Sequence, residues 1–281
     1  MYNRRDAPRD GPLGSEVPTP LAELARRVTG SHRPASRLTT AQPTTLLGVW
    51  AHPDDEAYLS AVLMHRVSTA GGQVVVATAT LGEAGLDSLS PERAAAVRHQ
   101  ELRAAVASVD VSDLRILGYP DGGCADVDHR EGVARVEALI CDVRPDVVVT
   151  FGPDGLTGHP DHVAVSRWTI EAWQRAGLGE LLLATMTDAF RTEHNALHER
   201  LGLSMPLSVP DSELVLRVTP SLAERSRKRL ALDAHASQTA PFTELLGYSA
   251  FHDWWVDECF RAPTPADLQS ATPAQTTGRA K

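Results

Sequence analysis

Two short stretches of this chain set histidine, proline and acid side by side. The first, AHPDDE, holds His52, Asp54, Asp55 and Glu56; the second, GHPDH, holds His159, Asp161 and His162. Acids at a helix start are ordinary, because the macrodipole stabilises each by roughly 0.3–1 kcal/mol. That accounts for one or two carboxylates. It does not account for a histidine placed before them, or for three acids crowded together. A divalent cation accounts for both: it offsets the repulsion, and a borderline metal takes imidazole and carboxylate together. His52 and Asp55 stand close enough in sequence to bind one ion from a single turn, with Asp54 aimed at a water on that ion. A helix starting near Pro160 would turn His159 and His162 toward one cavity, one for metal and one for substrate. Either motif alone reads as capping or surface residues. Together, at the same end of one sheet, they read as a metal site.

The elements that must position these residues alternate along the chain. TTLLGVW (44–50), QVVVATAT (73–80), LRILGY (114–119), PDVVVTF (145–151) and ELLLATM (180–186) have strand length and apolar, β-branched character. Helical spacing fills the gaps: one helix from Asp55 to the glycine pair at 71–72, another opening at Pro91, and others over 129–142 and 161–176. Strand and helix in this alternation predict an α/β fold, a Rossmann-like, mostly parallel sheet with helices on both faces. Ligands bind such sheets beyond the carboxyl ends of the strands, where the strand order switches. His52 follows one strand end and His159 another. The loops LGEAGLDS (81–88) and GYPDGG (118–123) should line the same rim.

The 281 residues suffice for one large α/β domain, and 42 % hydrophobic residues suffice for its core. A net charge of -9 argues against nucleic acid or an anionic membrane surface as a partner. Cys124, Cys141 and Cys259 are odd in number and widely spaced, which predicts no disulfide framework and a reducing, cytoplasmic setting. No apolar run has the length of a membrane span, and the first residues have no signal-peptide core. Composition predicts a flexible N-terminal arm over 1–43, with LAELARRV as a short helix in it, a folded domain over 44–261, and a disordered tail over 262–281.

The motifs AHPDDE and GHPDH, with LGEAG and LGYPDGG between them, resemble the LmbE-like, or PIG-L, family of N-acetylglucosaminyl de-N-acetylases. The resemblance runs in order over roughly residues 44–250. It implies a zinc-dependent amide hydrolase, with Fe2+ or another divalent ion as an alternative metal. It implies His52, Asp55 and His162 as metal ligands and Asp54 as the general base acting on a metal-activated water. It implies a protonated His159 as the stabiliser of the oxyanion and Asp121 as a group that binds sugar hydroxyls. The implied substrate is a small N-acylated amino sugar, such as an N-acetylglucosaminyl conjugate. Rival readings are a same-fold amidase acting on a thiol-cofactor conjugate or a natural-product glycoside, and a metal-containing binding protein without turnover. A nucleotide-binding Rossmann protein fits less well, because no GxGxxG follows the first strand. Homo-oligomerisation stays open.

Other features read as structural. His194 and His198 in HNALH fit a solvated helix face, and RSRKR (225–229) an exposed one. The cluster FHDWW (251–255) fits core or subunit packing, with Trp254 and Trp255 as a stacking wall in the minority view. His235 and Gln238 fit local capping or packing ahead of substrate contact.

Overall fold

The computed structural model describes residues 44–271; the arm over 1–43 with its LAELARRV segment, and residues 272–281, lie outside them. Five parallel strands form where the apolar runs predict them: β1 (Thr45–Trp50), β2 (Gln73–Thr78), β3 (Asp113–Ile116), β4 (Val147–Phe151) and β5 (Glu180–Thr187). The remaining strands, β6 (Ser208–Val209), β7 (Leu214–Val218) and β8 (Glu258–Arg261), come from the last third of the chain. The order is β3-β2-β1-β4-β5-β8-β7, with β6 beside β5. β8 runs antiparallel to both β5 and β7, an extension that apolar periodicity did not reveal.

The helices are α1 (Asp55–Leu59), α2 (Ala61–Thr69), α3 (Pro91–Ser108), α4 (His129–Val143) and α5 (Pro160–Ala176), followed by α6 (Asp188–Leu201), α7 (Leu222–Ala234), α8 (Ala236–Leu246), α9 (Tyr248–Trp254) and α10 (Pro265–Ala271). Central strands are buried on both faces: every residue of β4 is buried, and so is β1 from Leu46 to Trp50. That double burial is why these strands read as continuous apolar runs. β1 pairs with β2 on one side and β4 on the other, with Gly48 opposite both Val76 and Val149. The chain leaves β1 in one direction and returns to β4 on the opposite side, so the strand order switches between them.

Four expectations change on contact with tertiary structure. The single helix expected from Asp55 is two. Ser60 breaks it at φ -148°, and the buried Glu258 carboxylate of β8 accepts the amides of Val62 (2.8 Å) and Leu63 (2.9 Å). A distant acid thus supplies the N-terminal cap of α2 that Ser60 does not. Lys228, expected on an exposed face, is 3 % exposed and pairs with Glu258 at 2.9 Å. His198, expected on a solvated face, is buried; its Nδ1 lies 3.1 Å from the Ser204 carbonyl and its ring packs edge-on to Trp254. Ordered structure also crosses the boundary expected at residue 261, because Arg261 pairs with Asp267 of α10 and Ala271 is fully buried. Phe251 and Trp254 are core residues as expected. Cys124, Cys141 and Cys259 are free thiols. No helix among the described residues is long and apolar enough to cross a membrane.

Candidate metal centre and active site

His52 sits where the chain leaves β1. The backbone N–H groups of Ala51 (3.2 Å) and His52 (2.8 Å) donate to Asp55 Oδ2, so the acid folds back on the strand end. Its other oxygen, Oδ1, lies 3.4 Å from His162 Nε2. Asp54, between them, is forced to φ 126°, a conformation costly for a non-glycine residue. Glu56 holds it there: Oε2 accepts the Asp54 N–H at 3.0 Å, and Oε1 lies 2.7 Å from His235 Nε2. Glu56 and His235 are both buried. His235 therefore packs behind the site, as the structural reading expected, while Gln238 reaches the cavity wall.

His162 comes from the other side of the strand switch, on the first turn of α5. Its Nδ1 donates to the Gly155 carbonyl at 3.0 Å, and its ring stacks on Phe151 with centroids 4.3 Å apart. Gly155 has φ +67°, and a Cβ there would stand 2.8 Å from the His162 Cβ, so only glycine lets this loop approach.

These constraints orient both imidazoles. His52 Nε2 faces Asp121 Oδ1 (3.1 Å) and Asp161 Oδ2 (3.2 Å), two acceptors, and so carries a hydrogen. That leaves a lone pair on His52 Nδ1 and, by the same reasoning, one on His162 Nε2. The two atoms face each other at 3.0 Å. Two lone pairs so placed need a cation between them. Without a metal a proton serves. Burial resists a charge on His52, but Asp121, Asp161 and Asp55 overcome it and raise its pKa to about 10. Burial and the His52 charge push His162 down to about 4. Ligands about 2.0–2.1 Å from one tetrahedral ion stand about 3.3 Å apart. The 3.0 Å and 3.4 Å separations among His52, His162 and Asp55 fit such a donor set. Burial raises the pKa of both Asp54 and Asp55, with the Asp55 charge adding to the rise at Asp54, which a cation would relieve.

Asp161 is the support that the sequence reading left without a role. It is fully buried and accepts from Gly122 N (2.7 Å) and Cys124 N (3.0 Å) as well as facing His52 Nε2. A carboxylate behind a ligating histidine fixes its ring and tautomer. Its place inside GHPDH was visible; its direction was not.

His159 caps α5, its Nδ1 accepting the Asp161 N–H at 3.2 Å. The remaining ring hydrogen is then on Nε2. Burial and the neighbouring His52 and His162 lower its pKa. The cap contact uses the Nδ1 lone pair and is therefore made by the neutral imidazole. His159 also stands close enough to His52 and His162 for the three to group around one ion.

Asp121 accepts the Ala84 N–H through Oδ2 at 2.9 Å while Oδ1 faces His52. It still borders the cavity, and a carboxylate has lone pairs to spare for a further donor. Arg98, on α3, was missed. It reaches Asp54 Oδ2 (3.3 Å), the Gly82 carbonyl (3.0 Å) and the Pro53 carbonyl (2.5 Å). A Cβ on Gly82 would fall 2.0 Å from Arg98 Nη1, so the glycine in LGEAG is the passage for this arginine. The cavity over these groups measures about 410 Å³, with Ala84 and Gly85 from one predicted rim loop and Asp121 and Gly122 from the other in its wall.

Strand switch, paired imidazoles and flanking carboxylates define a metal-dependent hydrolase on a Rossmann-like sheet. Residues 47–173 match the family profile described as PIG-L, GlcNAc-PI de-N-acetylase. The chain is 33 % identical over 251 residues to the 1D-myo-inositol 2-acetamido-2-deoxy-α-D-glucopyranoside deacetylase of Kineococcus radiotolerans, spanning 70 % of this chain and 69 % of that protein. It is 31 % identical over 247 residues to the enzyme of that name from Actinosynnema mirum, spanning 76 % and 87 %. In fold it is similar to the N,N'-diacetylchitobiose deacetylase of Pyrococcus horikoshii, with TM-score 0.55, 20 % identity, and 83 % and 88 % of the two chains covered. The chain belongs to the PIG-L family of de-N-acetylases and is a hydrolase of the amide bond, with a donor set for a divalent metal.

Proposed function

We propose that this protein is a zinc-dependent deacetylase of an N-acetylglucosaminyl conjugate, with His52, Asp55 and His162 holding the metal. The observation that carries the reading is the approach of His52 Nδ1 and His162 Nε2 to 3.0 Å, with Asp55 Oδ1 3.4 Å from the same His162 nitrogen. Iron or another divalent ion suits the same donors. A bound divalent ion supplies Lewis acidity, lowering the pKa of water and polarising an amide carbonyl. The protein's own groups do the rest. Asp54, held at the cavity by Glu56 and Arg98, takes the proton of the attacking water and passes it to the departing amine. His159 donates from Nε2 to the carbonyl oxygen as it gains charge. Asp121 accepts from a sugar hydroxyl.

The named relatives make 1D-myo-inositol 2-acetamido-2-deoxy-α-D-glucopyranoside the first substrate to test. Metal content and acetate release are measured on wild type and His162→Ala purified together. The expected result is about one zinc or similar ion per wild-type chain, its loss in the variant, and acetate release that follows the metal. Equal metal in both proteins would refute the ligand set. A metal-loaded wild type that releases no acetate from any N-acetylglucosaminyl compound would refute the substrate class.

A further inference from the structure

The cavity has two unlike ends, and the order of the strands separates them. Toward β2 and β3 its wall is polar, made by Arg98, Asp121, Gln238 and the backbone of Gly85 and Gly122. Toward β4, β5 and β8 its wall is mostly apolar, made by Tyr58, Leu59, Phe151, Leu156 and Trp255, with the exposed Thr157 and His159 of the loop after β4 beside them. His52, Asp55 and His162 stand between the two ends, over β1 and β4.

The apolar end is built rather than incidental. Tyr58 and Trp255 meet edge to face with ring centroids 5.0 Å apart. Leu156 is held at φ 63°, a left-handed conformation that glycine adopts freely and a leucine does not. Strain of this kind persists where the surroundings demand the side chain. Here it sets an apolar group in the cavity wall, one residue after Gly155, whose carbonyl holds His162.

A secondary amide is planar and trans, so its acyl chain and its nitrogen substituent leave the carbonyl in opposite directions. A substrate with its scissile carbonyl over the metal donors and its sugar hydroxyls among the polar groups must send its acyl chain to the apolar end. An aglycone continues from the sugar and stays on the polar side. We propose that Tyr58, Leu59, Leu156 and Trp255 form an acyl pocket with room beyond an acetyl methyl, so that besides acetyl the protein releases longer acyl chains, such as butanoyl, from amino sugars. This rests on the amide-hydrolase reading above and adds the acyl group to it.

The test uses the metal-loaded full chain and glucosamine conjugates acylated on nitrogen with acetyl, propanoyl or butanoyl groups. Released amine gives kcat/KM for each. Burying each added methylene should raise kcat/KM about three- to fourfold, so butanoyl should exceed acetyl by about tenfold. Leu156→Gly relieves the left-handed strain and removes the contact, and thermal unfolding of the variant checks that it is folded. It and Trp255→Ala should both shrink the butanoyl-to-acetyl ratio toward one. Hydrolysis that is fastest for acetyl and falls with chain length overturns the acyl pocket and leaves the deacetylase reading intact. A butanoyl preference unchanged in both variants also overturns it and assigns the apolar end to the aglycone. No amine from any compound overturns the pocket and the reading together.

Discussion

His52 Nε2 lies 3.2 Å from Asp161 Oδ2, a carboxylate oxygen that also takes the Gly122 N–H at 2.7 Å. The acid behind the histidine is thus anchored to the GYPDGG loop, and the ring of His52 is locked from its far side. Asp161→Asn keeps the size and can keep one acceptor, but it removes the charge. Metal affinity should drop by about 10- to 100-fold, as for other carboxylates behind ligating histidines. Competition with a chelator of known affinity measures this. Unchanged affinity would mean that the carboxylate only braces the loop.

Asp54 tests the complementary half of the proposal, a base that moves a proton without holding the metal. Asp54→Asn preserves the turn at φ 126° and the contact with Arg98 but cannot take a proton. Turnover should fall by about 10²–10⁴ with metal content unchanged. Full turnover in the metal-loaded variant would remove Asp54 from its role as base.

Lys228 and Glu258 form a buried pair, with side chains 4 % and 0 % exposed. Lys228 Nζ also donates to the Tyr58 carbonyl at 2.7 Å, so the pair ties α7 to the end of α1 beneath the cavity. Removing one partner strands the other charge. Lys228→Met should cost about 3–5 kcal/mol in the free energy of urea unfolding. The double variant Lys228→Met/Glu258→Gln should recover part of it. A single-variant loss below about 1 kcal/mol would place the pair with ordinary surface ion pairs.

Stability should also respond to acid through Glu224. Burial opposes its charge, but the paired Arg66 (2.6 Å) and the Ser221 N–H (2.7 Å) lower its pKa from 4.5 to about 2. A carboxylate with a depressed folded pKa contributes fully above the unfolded value and loses that contribution as pH falls through the folded one. Part of the folded stability should therefore disappear between pH 4.5 and 2. Glu224→Gln should show a shallower loss across that window in thermal unfolding. Identical slopes for wild type and variant would show that other groups govern the acid response.

Much of the site was legible before the fold was known. The five parallel strands announced themselves because both their faces are buried. The two His-Pro-Asp motifs were legible because three acids beside a histidine have no ordinary structural explanation. The remaining members were not. Arg98 and His235 act across distances of 44 and 179 residues from Asp54 and Glu56 respectively, as the pairs Arg98–Asp54 and His235–Glu56 show, and no local spacing encodes such pairing. Lys228 looked like one more charge in a basic run because only β8, folding back antiparallel, brings Glu258 against it.

Residue chemistry and local pattern by themselves determined the class of sheet, the rim on which the cavity stands, and the imidazoles and carboxylates that gather there. Those properties depend on periodicity and on the types of neighbouring side chains. Direction was left to the tertiary structure: which nitrogen of His52 faces His162 and which faces acid, that His159 Nδ1 caps α5, and that Tyr58, Leu156 and Trp255 border the cavity. Each depends on a hydrogen-bond partner or wall residue delivered from another strand, and so on long-range packing that sequence spacing does not record.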